Sequence, residues 1–358
     1  MSGHAAIPIG PIKPNDRPGN AAARPRRSLS SRIDAALTLQ NAKILSYFLI
    51  WFTLSVVYNV CNKKAHQALD LPMFLATFQM FAGVPVIVII WLSGIRQPPS
   101  IFEWRLFRSL SFMSLCHSGT HLGGVGSMGL GAVSFTHIIK ASEPVFTAVL
   151  SVFVLGQVYA WQVYLTLAMV CIGVAVASVA EMDFNALALN LALLSSLSAS
   201  LRGTFSKEAL KSIPSERKLQ AQNLYYVLTI LSSIFCAVLF AASEGAVFLD
   251  NFNNGLLKQG HVYVWGNLIA SGLSYYLYNE VAFLALDAVS PVTHAIGSTF
   301  KRVFVIGAAL IVFRNPVNVW GYIGSVIAIV SVFAYSLTKI WFPSRTIRKP
   351  FSSSTTKC

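Results

Sequence analysis

The chain has 358 residues, 55% hydrophobic and only 11% charged, a composition too apolar for an ordinary water-soluble domain and one whose long uncharged windows suit a bilayer. Its formal net charge of +14 implies no nucleic-acid partner, because the cations lie mostly in tails and between apolar runs, where orientation in a membrane accounts for them. Cys61, Cys116, Cys171, Cys236 and Cys358 show no CxxC or paired spacing, so neither a metal site nor a disulfide framework is indicated, and nothing calls for a cofactor.

Residues 1–40 are rich in Pro, Ala, Gly, Ser and Arg and read as a disordered basic tail. Arg24, Arg26, Arg27 and Arg32 beside Ser28, Ser30 and Ser31 resemble a transit peptide, but the stretch is short and contains Asp16 and Asp34. A retention tail facing the cytosol fits better. From Ile44 onward ten apolar segments follow, at 44–61, 72–92, 109–130, 132–156, 160–180, 185–205, 221–243, 263–286, 291–313 and 317–338. An even number places both termini on one side, and the loops then alternate between faces. On that assignment nineteen Lys and Arg residues, Lys339 among them, fall on the face of the termini and four, Lys63, Lys64, Lys258 and Arg314, on the other. This bias puts the termini on the cytosol-like side.

Lys140, Arg202, Lys301 and Arg302 remain, inside or at the edge of spans. A charge at mid-membrane costs at least roughly 2.5–3.5 kcal/mol, so such residues face a polar interior or a water-filled cavity. Few carboxylates lie within the apolar segments to neutralise them, chiefly Glu143 and Glu280.

The segments also repeat. Ser134 to Ile139 reads SFTHII and Pro291 to Ile296 reads PVTHAI, each in the fourth segment of a five-segment half. A repeat with an odd number of spans inserts upside down relative to its partner, so substrate is expected near the midplane between halves. The predicted fold is an all-α membrane protein of ten transmembrane helices in two inverted five-helix repeats, 41–182 and 183–341, with a basic tail at 342–358. Lys140 follows His137 by three residues and Lys301 follows His294 by seven. A difference of four is about one helical turn, so the two lysines share a face. Lys140, Lys301 and Arg302 together call for a dianionic ligand such as phosphate or its monoesters, with the guanidinium supplying bidentate geometry and the ammonium groups point charges.

Other residues carry structural readings. His137 and His294 read as helix-packing residues bonded to neighbouring carbonyls. His117, one turn before His121, sits behind the site. Glu143 before Pro144 pairs with a cation or caps a kink. Arg202 pairs with Glu143 or Glu280, and Lys63 and Lys64 are interfacial anchors or an electropositive mouth. Gly123, Gly124, Gly126, Gly129 and Gly131 permit close helix packing.

Several motifs together resemble the plastidic phosphate translocators of the drug/metabolite transporter superfamily, from about Asn41 to Trp341. These are Asn62-Lys63-Lys64, Cys116-His117 through His121, Ser134 through Lys140 with Glu143-Pro144, Tyr278-Asn279, and Thr293-His294 through Lys301-Arg302-Val303-Phe304. The resemblance implies a counter-exchange carrier, not an enzyme, in which Lys140, Lys301 and Arg302 hold the phosphate while His121 and Tyr278 contact the rest of the substrate. It implies inorganic phosphate and small phosphorylated metabolites as ligands, a monomer sufficient for transport, and a plastid envelope, an apicoplast included, as location. His121 matches triose-phosphate carriers. Gly124 stands where many members place a hydroxyl, and Glu280 where the family more often has an amide. C3 phosphates are expected, with a range that extends to phosphoenolpyruvate. The competing readings are a hexose-, pentose-phosphate or nucleotide-sugar carrier, and an intramembrane enzyme acting on a phosphorylated lipid. Against the enzyme, the spans hold no HExxH, no dense Asp cluster and no nucleophile beside a base.

Overall fold

The computed structural model describes residues 29–99, 104–182, 184–211, 221–289, 291–315 and 317–346. Residues up to Lys43 form a unit of their own, and the architecture below is that of the compact unit from Ile44 onward. The tail reading for residues 1–28 and 347–358 lies outside the described residues. Within 29–40, however, the chain is already helical, because helix α1 runs Leu29–Ala68.

The remaining helices are α2 (Pro72–Phe81), α3 (Val84–Leu92), α4 (Trp104–Leu130), α5 (Val133–Ile139), α6 (Glu143–Leu155), α7 (Trp161–Val179), α8 (Ala186–Lys211), α9 (Ala221–Ser243), α10 (Phe248–Gln259), α11 (His261–Ala288), α12 (Pro291–Phe313) and α13 (Val319–Trp341). Two-residue strands β1 (Gln157–Val158) and β2 (Arg345–Thr346) pair antiparallel, Val158 opposite Arg345.

Two apolar segments that are continuous in sequence are broken in space. Pro85 lacks an amide hydrogen and its ring crowds the carbonyl one turn back, so the segment at 72–92 splits into α2 and α3. Pro144 does the same one turn after Lys140, and the chain tightens into a 3-10 turn over Lys140–Ser142 between α5 and α6. The lysine therefore sits at a helix break, whereas Lys301 and Arg302 lie within the uninterrupted α12.

Among the described residues eight stretches are long and apolar enough to cross a bilayer: the C-terminal part of α1, α2 with α3, α5 with α6, and α7, α8, α9, α12 and α13. Helices α4 and α11 have the length, 27 and 28 residues. They fall short in apolarity because one face of each carries His117, Thr120 and His121, or Tyr275, Tyr278 and Asn279.

Small residues set the closest approaches. A Cβ added at Gly173 of α7 would lie 2.4 Å from the Ala328 amide nitrogen, and one at Gly324 of α13 would lie 2.4 Å from that of Ala177. Each helix thus offers a glycine and, four residues on, an alanine, and each glycine meets the other helix's alanine. Helix α4 lies as close on α8, where a Cβ at Gly123 would be 2.7 Å from the Leu191 carbonyl. At the start of α2, Glu244 after α9 accepts the amides of Met73 and Phe74 at 2.8 Å each, replacing bonds that a first turn cannot make with its own helix. The amphipathic α10 docks through Phe248 and Phe252 onto Phe74, with ring centroids 4.8 and 5.6 Å away.

Candidate functional site

A cavity of about 480 Å3 lies between α1, α4, α5, α6, α8, α11, α12 and α13, within the range of roughly 300–1,000 Å3 typical of small-molecule sites. All five residues singled out from sequence line it: Lys140, Lys301, Arg302, His121 and Tyr278. Helices from both halves of the chain contribute.

Each cation is held differently. At the helix break, the Lys140 ammonium donates to Ser195 Oγ of α8, and Ser195 in turn donates to the Thr120 carbonyl at 2.5 Å. The Lys301 ammonium stands 5.1 Å from the Trp51 ring and 5.3 Å from the Tyr278 ring, a cation-π arrangement between α1 and α11 that contributes attraction without neutralising charge. Arg302 forms an ion pair of 2.8 Å with Glu143, yet its other terminal nitrogen, Nη1, is buried without a partner. Of the two readings of Glu143, pairing with a cation is the one observed, and it leaves Lys140 and Lys301 without a carboxylate among the described residues. The same contact corrects the pairing of Arg202, since Glu143 is taken by Arg302 and Glu280 by Arg96, at 2.6 Å. Arg202 lines the cavity with its Nε buried and unpartnered.

Aromatic rings build much of the remaining wall. The His121 ring centroid is 4.1 Å from that of Tyr275, and its Nε2 has no partner. Tyr278 packs 5.4 Å from Tyr58 and 5.5 Å from Tyr275. His117 also lines the cavity with both ring nitrogens unpartnered, so it is in the wall rather than behind it. His294 bonds the Ala282 carbonyl at 3.1 Å, as its packing role predicts. His137 instead meets the Asn59 side chain at 2.8 Å, and both histidines line the cavity.

Three further expectations change. Lys63 is no free mouth charge: within α1, it donates to the carbonyls of Met128, Gly129 and Gly131, at 2.8, 3.4 and 2.9 Å, and closes the C-terminal end of α4. Glu280, bound to Arg96 and to Tyr226 at 3.1 Å, does not line the cavity and so does not bear on substrate contact. Lys339, assigned to a loop, belongs to the last turn of α13 and lines the cavity. Sequence reasoning missed it because the apolar run ends at Thr338 while the helix continues to Trp341.

Gly124 faces Lys140 and Ser195, and an added Cβ would lie 3.5 Å from Lys140 Nζ and 3.5 Å from Ser195 Oγ. The hydroxyl expected on α4 is thus supplied from α8 by Ser195. No signal in a single sequence joins residues so far apart in the chain.

The chain matches the Triose-phosphate Transporter family over residues 42–336. It is 34% identical over 299 residues to glucose-6-phosphate/phosphate translocator 1, chloroplastic, of Arabidopsis thaliana, covering 83% of this chain and 76% of that protein. It is 37% identical to the chloroplastic triose phosphate/phosphate translocator of Flaveria trinervia, covering 82% and 70%, and 36% identical to that of Pisum sativum, covering 82% and 71%.

Proposed function

The chain belongs to the triose-phosphate transporter family, a family of transporters rather than enzymes, and from that premise we propose that it exchanges inorganic phosphate for phosphorylated C3 compounds across a plastid envelope. The substrates are triose phosphate and 3-phosphoglycerate, with phosphoenolpyruvate within range. The plastid is a chloroplast or a non-photosynthetic one such as an apicoplast, and both termini face the cytosol.

One observation carries the reading. Lys140 from the first half and Lys301 with Arg302 from the second line a single cavity, and of the three only Arg302 is paired with a carboxylate among the described residues. The site as it stands is short of negative charge, and a phosphate dianion supplies it. Lys140, Lys301 and Arg302 hold the phosphate group, while His121 and Tyr278 contact the remainder. The cavity lies within one chain, which supports a monomer as the transporting unit.

Adding α4 and α11 to the eight apolar stretches gives ten spans in two inverted repeats, 41–182 and 183–341. Reciprocal packing of Gly173 on Ala328 and Gly324 on Ala177 supports this, since contacts that map onto themselves when partners are exchanged are what a twofold axis produces. The halves rock about the site. In support, α4 packs backbone to backbone on α8, whereas its repeat-related pair, α11 and α1, meets through the rings of Tyr58, Tyr275 and Tyr278. Closing an empty, dry site over unpaired cations is unfavourable, so return without an anion is slow and transport is exchange.

Proteoliposomes preloaded with phosphate are expected to take up labelled triose phosphate, and empty ones not. Equal uptake by both would refute the mechanism. A second reading, hexose phosphate exchange, is favoured by the absent side chain at Gly124, and glucose 6-phosphate in the same assay separates the two.

A further inference from the structure

Lys339 and Arg302 line one cavity but stand at different depths. Lys339 is two residues from the end of α13, and Arg302 is eleven residues from the start of the neighbouring α12 at the same face. At 1.5 Å per residue they differ by roughly 13 Å along the helix axes. The Arg302 head turns to Glu143, twelve residues from the end of α6 at that face, and so stays inward.

The Lys339 ammonium is 5.5 Å from the ring centroids of both Tyr159 and Tyr335, and 3.4 Å from the Tyr335 hydroxyl. Both rings are buried. Tyr159 is pinned because α6 ends at Gly156, whose φ of 62° turns the chain into β1, and β1 pairs with β2 after α13. A lysine serving only as a lipid anchor would extend its head to the headgroups. This one is held over aromatic rings on the cavity wall, and no carboxylate pairs with it among the described residues. Ser298 lines the same wall and can donate its hydroxyl, as can Tyr335, which only accepts from Lys339, whereas Ser336 already donates to the Val332 carbonyl at 3.0 Å.

We propose that Lys339, with Tyr335 and Ser298, forms a second anion station at the mouth of the cavity, which takes the phosphate group of an incoming substrate, inorganic or esterified, before it reaches Lys140, Lys301 and Arg302. The station rests on the transport reading. It draws anions toward the inner site and is itself weaker, since it has one full charge against the two, on Lys140 and Lys301, that no carboxylate offsets among the described residues. Attraction at a mouth is screened by salt more than binding in a buried site.

The test is phosphate/phosphate exchange in proteoliposomes with K339Q and K339R, at low and high ionic strength. K339Q is expected to raise the KM for phosphate about five- to tenfold at low salt, with kcat within twofold and a weakened salt dependence, while K339R stays near wild type. In detergent, inorganic phosphate is expected to retain weak, salt-sensitive binding to K301A that is lost in K301A/K339Q. An unchanged KM and salt dependence in K339Q, or a fall in kcat alone, would overturn the station. A wild-type protein that exchanges no phosphate would instead refute the transport reading, and the binding comparison would still decide whether Lys339 attracts the anion.

Discussion

On the proposed reading the Arg302 guanidinium has two claimants, Glu143 at 2.8 Å and the incoming phosphate. A carboxylate that neutralises part of the site while it is empty lowers the cost of that state, but it competes with the substrate for the same donors. Glu143→Gln is therefore expected to tighten phosphate binding several-fold and to slow exchange, because release becomes harder; equilibrium binding in detergent beside initial exchange rates measures both. An unchanged affinity would mean that substrate does not displace the carboxylate. At Gly124 the question is space. A serine there places its Cβ in ordinary contact, 3.5 Å from Lys140 and Ser195, and its hydroxyl extends beyond that into the cavity. Gly124→Ser is expected to preserve triose phosphate exchange and to lower the ratio of glucose 6-phosphate to triose phosphate uptake, read from parallel assays with the two labels. A rise in that ratio would sink the assignment of this glycine to substrate room.

Helices meet here either through small residues or through large ones, and the two kinds of contact serve different ends. Where α7 crosses α13, backbones touch at Gly173 and Gly324, leaving no room to slide. Gly173→Val would force the helices apart, at a cost of about 1–3 kcal/mol for overpacking, and is expected to lower the melting temperature in detergent by several degrees. An unshifted melting curve would show this crossing to be looser than its geometry. By contrast, α1 approaches α11 and α12 through Tyr58, Trp51, Phe48 and Phe52, with Phe52 and Phe304 rings 5.3 Å apart and Trp51 stacked on His294 at 4.8 Å. Contacts between long side chains can be remade in another rotamer, which suits an interface that opens.

In the whole molecule, α4 and α8 meet backbone to backbone while α1 and α11 meet through rings, and on the proposed alternating-access reading the α4–α8 contact is the one that opens in the other state. A Cβ at Gly119 would lie 3.3 Å from the Ser198 Cβ, near the separation a disulfide spans. The double variant G119C/S198C is expected to lose phosphate exchange on oxidation and to regain it with reductant. Full activity while oxidised would mean that α4 and α8 travel together and that the halves move elsewhere.

Much of this was legible in the sequence. That Lys140, Lys301 and Arg302 line one cavity is foreshadowed by the cost of charge inside an apolar run, and the helical period puts Lys140 and Lys301 on matching faces. The glycine-alanine spacing at 173–177 and 324–328 is equally readable, but only packing shows that the two pairs meet. Partner choice was not legible: Glu143 could have served Arg202 as well as Arg302, and Ser195 gives no local sign that it will reach Lys140. Composition and period determined that this chain enters a membrane with cations that need an anion, because burial of charge is decided by the apolar residues beside it. The tertiary structure alone decided which cation keeps a carboxylate and which hydroxyl supports which lysine, because those outcomes depend on distances between residues that the chain separates by fifty positions or more; it also decided that Lys339 belongs to the cavity, because the helix outruns the apolar run that marks it.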